Sequence, residues 1–176
     1  LLFRLCVGGR LVLGNSTRPK DILEMIQRER VTHIFLVPTL IIDVINDPDL
    51  GKYDVSSLVS IASGGAFFAP ELNREARNKM RCNIANNIGM AEGIYIGPRI
   101  DYPVEEIINT VGKPHCPWNT IRILDDNDRE VPQGQEGELA GKGPSVFSGY
   151  YKDEEGNRRC FNREGFYKTG DLARIN

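Results

Sequence analysis

The sequence is short of cysteine clusters, long apolar runs and charge blocks, and each shortage excludes a class of protein. Its four cysteines lie far apart without a Cys-x-x-Cys pair, whereas a zinc ribbon or a disulfide framework needs tighter spacing, so we expect reduced thiols in a cytoplasmic protein. No apolar run approaches the roughly 20 residues of a membrane-spanning helix. Lys and Arg form no polybasic block, and the net charge is −2. Neither a membrane nor nucleic acid is therefore predicted as a partner.

What is present is the composition of an ordinary folded α/β protein. Of the 176 residues, 40% are hydrophobic and 26% are charged, with 18 Gly and 10 Pro. This length predicts one domain or two small ones. The chain begins at LLFRLCVGG and ends at YKTGDLARIN, both in mid-pattern, and LLFRLCVGG is too short for a signal peptide. We therefore expect a piece of a larger protein.

Apolar runs and helical segments alternate over the first hundred residues, as a parallel sheet with flanking helices requires. Apolar residues recur at helical spacing after Pro19 and again after Pro70, which predicts a helix at each place. A shorter helix is predicted for TLIIDVIND. A buried-type strand is predicted at THIFLVP (32–38), an apolar strand at LVSIASGGA (58–66) and a further strand at NIANNIG (83–89). The fold class is therefore α/β.

The pattern changes after about residue 109, where short apolar stretches are divided by Gly, Asp and Asn. Such spacing is typical of an antiparallel barrel or sheet. Strands are expected within NTIRILDDNDREV, PQGQEGELAGKGP, FSGYY and GFYKTGDLARI. The sequence thus predicts an α/β subdomain over 1–108 that leads into a β-rich, barrel-like subdomain over 109–176.

Three segments carry residues suited to nucleotide chemistry. In SGGA, Gly64 and Gly65 lack a Cβ, so a flat ligand could lie on the main chain. In GMAEG, Glu92 offers a carboxylate to Mg²⁺, which takes oxygen ligands and usually only one or two from protein. In YKTGDL, Asp171 could accept hydrogen bonds from a ribose diol. Gly64-Gly65 and Gly89 follow predicted strands, and ligands bind at the carboxyl ends of parallel strands.

Each segment also has a plainer interpretation when it is taken alone. Paired glycines are common in strand-to-helix turns. Glu92 could begin a helix or form an ion pair, and Asp171 could be a turn residue. The glycines of GELAGKG lie between predicted strands and open no helix, which rejects a dinucleotide-binding loop.

The order and spacing of five segments are more specific than any one of them. SGGA, NNIGMAEG, TVGKP, GELAGKGPSVFSGYY and GFYKTGDL together resemble the signatures of the adenylate-forming (AMP-binding) superfamily. The resemblance covers nearly the whole chain. The Met-Ala-Glu-Gly form, with GYYKDEEGN and GFYKTGD downstream, is most similar to the 2,3-dihydroxybenzoate–AMP ligases of siderophore synthesis.

The resemblance implies a reaction and a set of site residues. A carboxylic acid and ATP would give acyl-AMP and pyrophosphate, and the acyl group would pass to the pantetheine thiol of CoA or of an aryl carrier protein. Glu92 would be the catalytic Mg²⁺ ligand, and Asp171 would hold the ribose. The other residues implied for ATP or AMP are Gly64, Gly65, Ala66, Asn86, Ile88 and Gly89. Those implied for the acid pocket are Ala66, Asn87, Gly89, Met90, Ala91 and Tyr95.

Three residues depart from the pattern of the superfamily and leave the substrate open. Ile88 stands where an aromatic residue usually stacks on adenine. Asn87 is polar and Tyr95 is bulky where the aryl-acid branch is small and apolar. An acyl-CoA synthetase for a fatty or other acid, and a non-catalytic nucleotide-binding derivative, therefore remain alternatives. A third alternative is that Glu92 merely caps a turn.

The resemblance also implies groups outside these residues. A phosphate-binding loop with its lysine would precede Leu1, and a hinge and a small domain with a catalytic lysine would follow Asn176. We therefore expect the 176-residue piece alone to have no measurable ligase activity.

Overall fold

The computed structural model describes residues 6–99 and 101–176 and divides the chain into two units. The first unit runs to Asn87 and resumes over Gly97–Gly112, and the second comprises Ile88–Ile96 and Lys113–Asn176. The expectation drawn from LLFRLCVGG lies partly on residues 1–5, outside the described residues. Within the described residues, no helix is long and apolar enough to cross a membrane.

Proline begins each of the three longer helices of the first unit. These are α1 (Pro19–Glu29), α2 (Pro38–Ile45) and α3 (Pro70–Met80). Proline suits the first helical position because its φ is preset and its missing N–H would have no partner there. Helices α1 and α3 are followed by Arg30 and Arg81, whose φ values of 48° and 52° are left-handed. The three predicted helices are confirmed.

A parallel sheet forms the centre of the first unit, as predicted. Its strands are β1 (His33–Phe35), β2 (Ser60–Gly64) and β3 (Asn83–Gly89), and β2 pairs in parallel with both others. The prediction of a buried-type β1 is wrong, because the strand has three residues and the Phe35 side chain is 60% exposed. Within this unit β1 lies at the edge of the ladder, where fewer neighbours cover it.

The core of the first unit lies between this sheet and its helices. Each fully buried aliphatic side chain contributes about 1.5–3 kcal/mol to folding. The core side chains with at most 1% exposure are Leu23, Ile26, Ile41, Val44, Ile61, Ala76, Met80 and Ile84. A further helix, α4 (Val104–Asn109), was not predicted, because six residues give too little periodicity to recognise.

The second unit is antiparallel, which confirms the predicted change of pattern. The end of β3 pairs with β4 (Tyr95–Gly97), and β5 (Lys113–Pro114) follows. A three-stranded antiparallel sheet then has the order β6-β7-β8. Its strands are β6 (Thr120–Leu124), β7 (Gly137–Lys142) and β8 (Tyr167–Ala173).

The segment between β7 and β8 differs from the prediction. FSGYY forms an irregular loop rather than a strand, and helix α5 (Glu154–Cys160) follows it. Asp153 begins this helix, since its Oδ1 accepts a 2.8 Å hydrogen bond from the Gly156 N–H. The predicted domains, 1–108 and 109–176, remain a prediction. The two units differ from them because the second unit includes Ile88–Ile96 and the first extends to Gly112.

Candidate functional site

Glu92 lies in a tight turn between β3 and β4 of the second unit. The Met90 N–H donates to the Ile94 carbonyl at 3.1 Å, and the Gly93 N–H donates back to the Met90 carbonyl at 3.1 Å. Gly93 has a φ of +104°, a conformation that glycine adopts without strain. The turn therefore presents Glu92, which is half-buried, at the carboxyl end of β3, as the sequence predicted.

The segment that follows β7 binds this turn through the main chain. The Phe147 N–H donates to the Glu92 carbonyl at 2.8 Å, and the Ser145 hydroxyl donates to the Gly93 carbonyl at 2.7 Å. A Cβ on Gly93 would overlap the Ser145 carbonyl group. The Glu92 turn is thus held by residues more than fifty positions later in the sequence.

The Glu92 carboxylate has one side-chain partner among the described residues. The Tyr150 hydroxyl donates to Oε1 of Glu92 at 2.8 Å. The Tyr167 hydroxyl, and after it the Glu92 carboxylate, raises the pKa of Tyr150. Tyr150 therefore stays protonated and remains a donor, while Oε2 of Glu92 accepts no hydrogen bond from a described residue.

Asp171 lies where β8 departs from regular pairing with β7. Glu138 pairs with Leu172 and Ala140 pairs with Lys168, so β8 has two more residues than β7 between these pairs. Gly170 makes this bulge possible with a φ of +79°, and its N–H donates to Oε1 of Glu138 at 2.9 Å. The Asp171 side chain is consequently exposed.

The two predicted carboxylates affect the same tyrosine. Tyr167 is 6% exposed. Burial is the main cause that raises its pKa, and the charges of Glu92 and Asp171 raise that pKa further. Both carboxylates therefore lie within electrostatic range of one phenol, although 79 positions separate them in the sequence.

The other predicted residues of the second unit surround the start of this turn. Ile88 and Met90 are half-buried, whereas Gly89 and Ala91 are exposed. A Cβ on Gly89 would lie 2.9 Å from the Tyr95 ring. Tyr95 is 44% exposed, and its ring meets the His115 ring edge-on at 4.7 Å between centroids.

In the first unit, the predicted glycines end β2 and lie beside Asn87. A Cβ on Gly64 would lie 2.8 Å from the Asn87 carbonyl oxygen, and Gly65 has a φ of +84°. Gly65 and Ala66 are exposed. Asn87 is 8% exposed, and its Nδ2 donates at 3.1 Å to the carbonyls of Ser63 and Ala85. Its amide therefore has a structural role in joining β2 to β3.

Asn86, by contrast, has an unused buried atom. Its Oδ1 is buried without a hydrogen-bond partner among the described residues, and so is Oγ of Ser63. The two residues are register partners on β3 and β2. Because a buried polar atom without a partner costs about 1–3 kcal/mol, an additional polar group at this end of the sheet would stabilise the arrangement.

Asn87 also lines a cavity of about 140 Å³ in the first unit. Arg77 borders the cavity, and its guanidinium donates to Oδ1 of Asn73 and Oδ1 of Asn83 at 3.0 and 3.2 Å and to the Ile84 carbonyl at 2.8 Å. These hydrogen bonds engage all three guanidinium nitrogens. Arg77 is therefore a structural residue of this cavity.

Tyr150 is the residue that the sequence did not assign. It belongs to GELAGKGPSVFSGYY, one of the five segments of the resemblance, but nothing in that segment indicates which distant group its hydroxyl meets. Tyr150 and Glu92 are 58 positions apart. The Gly-Tyr-Tyr at the end of the segment was the available signal, and only the fold shows the partner of Tyr150.

Comparison with known proteins shows the family that this chain resembles in sequence. A family model described as "AMP-binding enzyme" matches residues 1–151. The chain is 42% identical over 171 residues to a 2,3-dihydroxybenzoate-AMP ligase of Bacillus subtilis, covering 97% of this chain and 32% of that protein. It is 36% identical over 167 residues to pyochelin synthase PchD of Pseudomonas aeruginosa, covering 95% of this chain and 30% of that protein.

A solved structure shares the fold. The apo structure of Mycobacterium smegmatis MbtA superposes with a TM-score of 0.90 at 34% identity, over 98% of this chain and 32% of that one. The chain spans about a third of the length of the curated relatives it matches.

Proposed function

The chain belongs to the AMP-binding enzyme family, and from this premise we propose that the protein is an ATP-dependent ligase that activates a carboxylic acid as acyl-AMP. An aryl acid is the proposed substrate, because the 2,3-dihydroxybenzoate-AMP ligase of Bacillus subtilis is 42% identical to this chain. Transfer of the acyl group to a pantetheine thiol, of CoA or of a carrier protein, and a cytoplasmic location belong to the same proposal.

The observation that carries the proposal is the placement of Glu92 in a turn at the carboxyl end of β3, where its Oε2 accepts no hydrogen bond from a described residue. A nucleoside triphosphate that carries Mg²⁺ has two features that carboxylates bind. These are the hydroxyls of its ribose and the Mg²⁺ on its phosphates. Asp171, exposed in its bulge, suits the ribose. Glu92, in its fixed turn, suits the cation.

The donor set around Glu92 fits Mg²⁺. This ion usually takes one or two carboxylates from the protein and completes its shell with phosphates and water. Glu92 supplies one carboxylate, and its Oε2 accepts no hydrogen bond from a described residue. Among the described residues no group of three or more His, Cys, Asp or Glu could hold a metal, so nucleotide phosphates would complete the shell. When bound, Mg²⁺ supplies neutralisation of phosphate charge.

The reaction then depends mainly on alignment. An oxygen of the acid carboxylate forms a bond to the α-phosphorus of ATP, the bond from that phosphorus to the bridging oxygen breaks, and pyrophosphate leaves with the electron pair. The acid and ATP are both anions. The protein therefore contributes by holding its own binding groups in fixed positions before the two reactants meet. Glu92 is fixed by the turn and by Tyr150, and Gly89, which has no side chain, lets the Tyr95 ring lie against the end of β3.

The remaining residues are proposed to contact adenine or the acid. Gly64, Gly65, Ala66 and Asn86 are proposed to bind adenine, and the unpartnered Oδ1 of Asn86 supports this. Ile88 would contact adenine without aromatic stacking. The proposed residues of the acid pocket are Ala66, Asn87, Gly89, Met90, Ala91 and Tyr95.

Acid-dependent exchange of labelled pyrophosphate into ATP by the full-length protein tests the function. Salicylate, 2,3-dihydroxybenzoate, benzoate and a series of aliphatic acids form the panel. We expect exchange with aryl acids, and we expect Glu92→Gln to lower it by about two orders of magnitude through loss of a cation ligand. Exchange with aliphatic acids alone would favour the acyl-CoA synthetase alternative. ATP binding without exchange for any acid would favour the non-catalytic alternative.

A further inference from the structure

The Tyr150 hydroxyl donates a hydrogen bond to the carboxylate of Glu92. We propose that Tyr150 is a positioning residue, whose hydroxyl holds Oε1 of Glu92 so that Oε2 faces the divalent cation. The inference rests on the proposed role of Glu92 as a cation ligand. Tyr150 itself touches neither cation nor substrate in this proposal.

The hydrogen bond has the length and the polarity that such a role needs. At 2.8 Å it lies within the usual range for O–H···O, and an ionised acceptor makes it stronger than a neutral pair. A carboxylate that is held at one oxygen keeps a fixed plane, which orients its second oxygen. Partners of this kind orient the ligands of many metal sites.

Tyr150 is itself held from both sides by a single residue of helix α5. Oδ1 of Asn157 accepts the Tyr150 N–H at 2.7 Å, and Nδ2 of Asn157 donates to the Tyr150 carbonyl at 3.0 Å. Gly149 makes the approach possible, because a Cβ there would lie 2.9 Å from Oδ1 of Asn157. The main chain at Tyr150 therefore has both polar groups satisfied by one amide.

The ring of Tyr150 is fixed as well. It meets the Phe147 ring edge-on at 4.8 Å between centroids, and Phe147 in turn meets Tyr167 edge-on at 5.1 Å. The Phe147 N–H binds the Glu92 carbonyl. One segment thus holds both the main chain and the carboxylate of Glu92, so their relative position is fixed.

The test compares Tyr150→Phe with Tyr151→Phe in the full-length protein. Tyr151 is the neighbouring tyrosine, is 86% exposed, and has no hydrogen bond to Glu92. Mn²⁺ is titrated into the ATP-loaded protein and free Mn²⁺ is followed by electron paramagnetic resonance. We expect Tyr150→Phe to raise the apparent Kd for Mn²⁺ about tenfold, the lower range for loss of an orienting partner. Tyr151→Phe is expected to leave it unchanged.

A double-mutant cycle separates positioning from mere stabilisation. In the Glu92→Gln background, Tyr150→Phe is expected to cause no further change in Mn²⁺ affinity, because the group that it orients has gone. An unchanged Kd in Tyr150→Phe overturns the inference. So does an equal loss of affinity in both backgrounds, or a fall in Tm with no change in Kd.

Failure of the role inferred for Tyr150 can be distinguished from failure of the proposed ligase function. Wild-type protein that binds Mn²⁺ and ATP but exchanges no pyrophosphate contradicts the ligase function, and the Mn²⁺ titration still decides the role of Tyr150. Wild-type protein with no ATP-dependent Mn²⁺ site overturns both. Exchange activity with unaltered Mn²⁺ affinity in Tyr150→Phe overturns this inference alone.

Discussion

The α-carbon of Gly93 faces the carbonyl group of Ser145 so closely that no β-carbon fits between them. The Ser145 hydroxyl donates to the Gly93 carbonyl at 2.7 Å, and Gly93 holds a φ of +104°. Glycine is thus required here for space and for backbone angle. The turn that carries Glu92 depends on this one residue.

Gly93→Ala is expected to lower the free energy of unfolding. A left-handed conformation costs a residue with a side chain about 1–2 kcal/mol, and the overlap of the new Cβ with the Ser145 carbonyl group adds to that cost. Gly134→Ala is the matched control, since Gly134 has a φ of +85° and nothing within 4 Å of an added Cβ. Thermal unfolding of both variants in the full-length protein measures the difference. Equal decreases in Tm would show that the contact with Ser145 has no consequence.

Asn87→Ala is expected to destabilise the protein by about 1–3 kcal/mol, because two main-chain carbonyls lose their shared donor. Those carbonyls belong to Ser63 and Ala85. Asn86→Ala should not lower stability, because it removes a buried Oδ1 that has no partner among the described residues, and it should weaken ATP binding. Calorimetric unfolding and ATP titration compare the two, and a reversed order of stability would contradict the assignment.

Asp171→Asn is expected to raise the Kd for ATP about tenfold, since a charged acceptor of ribose hydroxyls contributes about 1.5–3 kcal/mol. The sharper test uses 2′,3′-dideoxy-ATP, which lacks those hydroxyls. The variant and the wild type should bind this analogue equally. An equal loss of affinity for ATP and for the analogue would mean that Asp171 does not contact the ribose.

Burial raises the pKa of the Cys82 thiol from its ordinary 9.0 to about 11. The folded state therefore favours the protonated thiol of Cys82. The stability that this buried thiol contributes is fully present below pH 9 and is lost as the pH rises through 11. At about pH 8, alkylation of Cys82 by iodoacetamide should be much slower than that of the exposed Cys6. Mass spectrometry measures both rates. Denaturant should abolish the difference, and equal rates in the folded protein would refute it.

The sequence predicted the elements that have local causes. Pro19 and Pro70 begin helices as predicted, because proline presets the first turn. Pro38, which was predicted to end a strand, begins a helix for the same reason. Strand β3 matches its predicted range at both ends. Helix α5 was missed because its start depends on the Asp153 side chain rather than on apolar periodicity.

The candidate site was predictable only in part, for the same reason. Glu92 and Asp171 stand in short segments whose residues indicate their chemistry. The hydrogen bond from Tyr150 to Glu92 joins residues 58 positions apart, and the bulge that exposes Asp171 arises from pairing between strands. Neither relation leaves a trace in the neighbouring residues, so only the folded chain reveals them.

The Asn87 side-chain amide donates hydrogen bonds to carbonyls of both β2 and β3. This limits which substitutions at position 87 the protein can accept, by engineering or by evolution. Replacement at this position would weaken the joining of β2 to β3 before it altered acid preference, so libraries there should enrich compensating changes in those strands. The Tyr95 hydroxyl, by contrast, has no hydrogen-bond partner among the described residues, and the ring is 44% exposed. Position 95 is therefore the more tolerant starting point for changing acid preference.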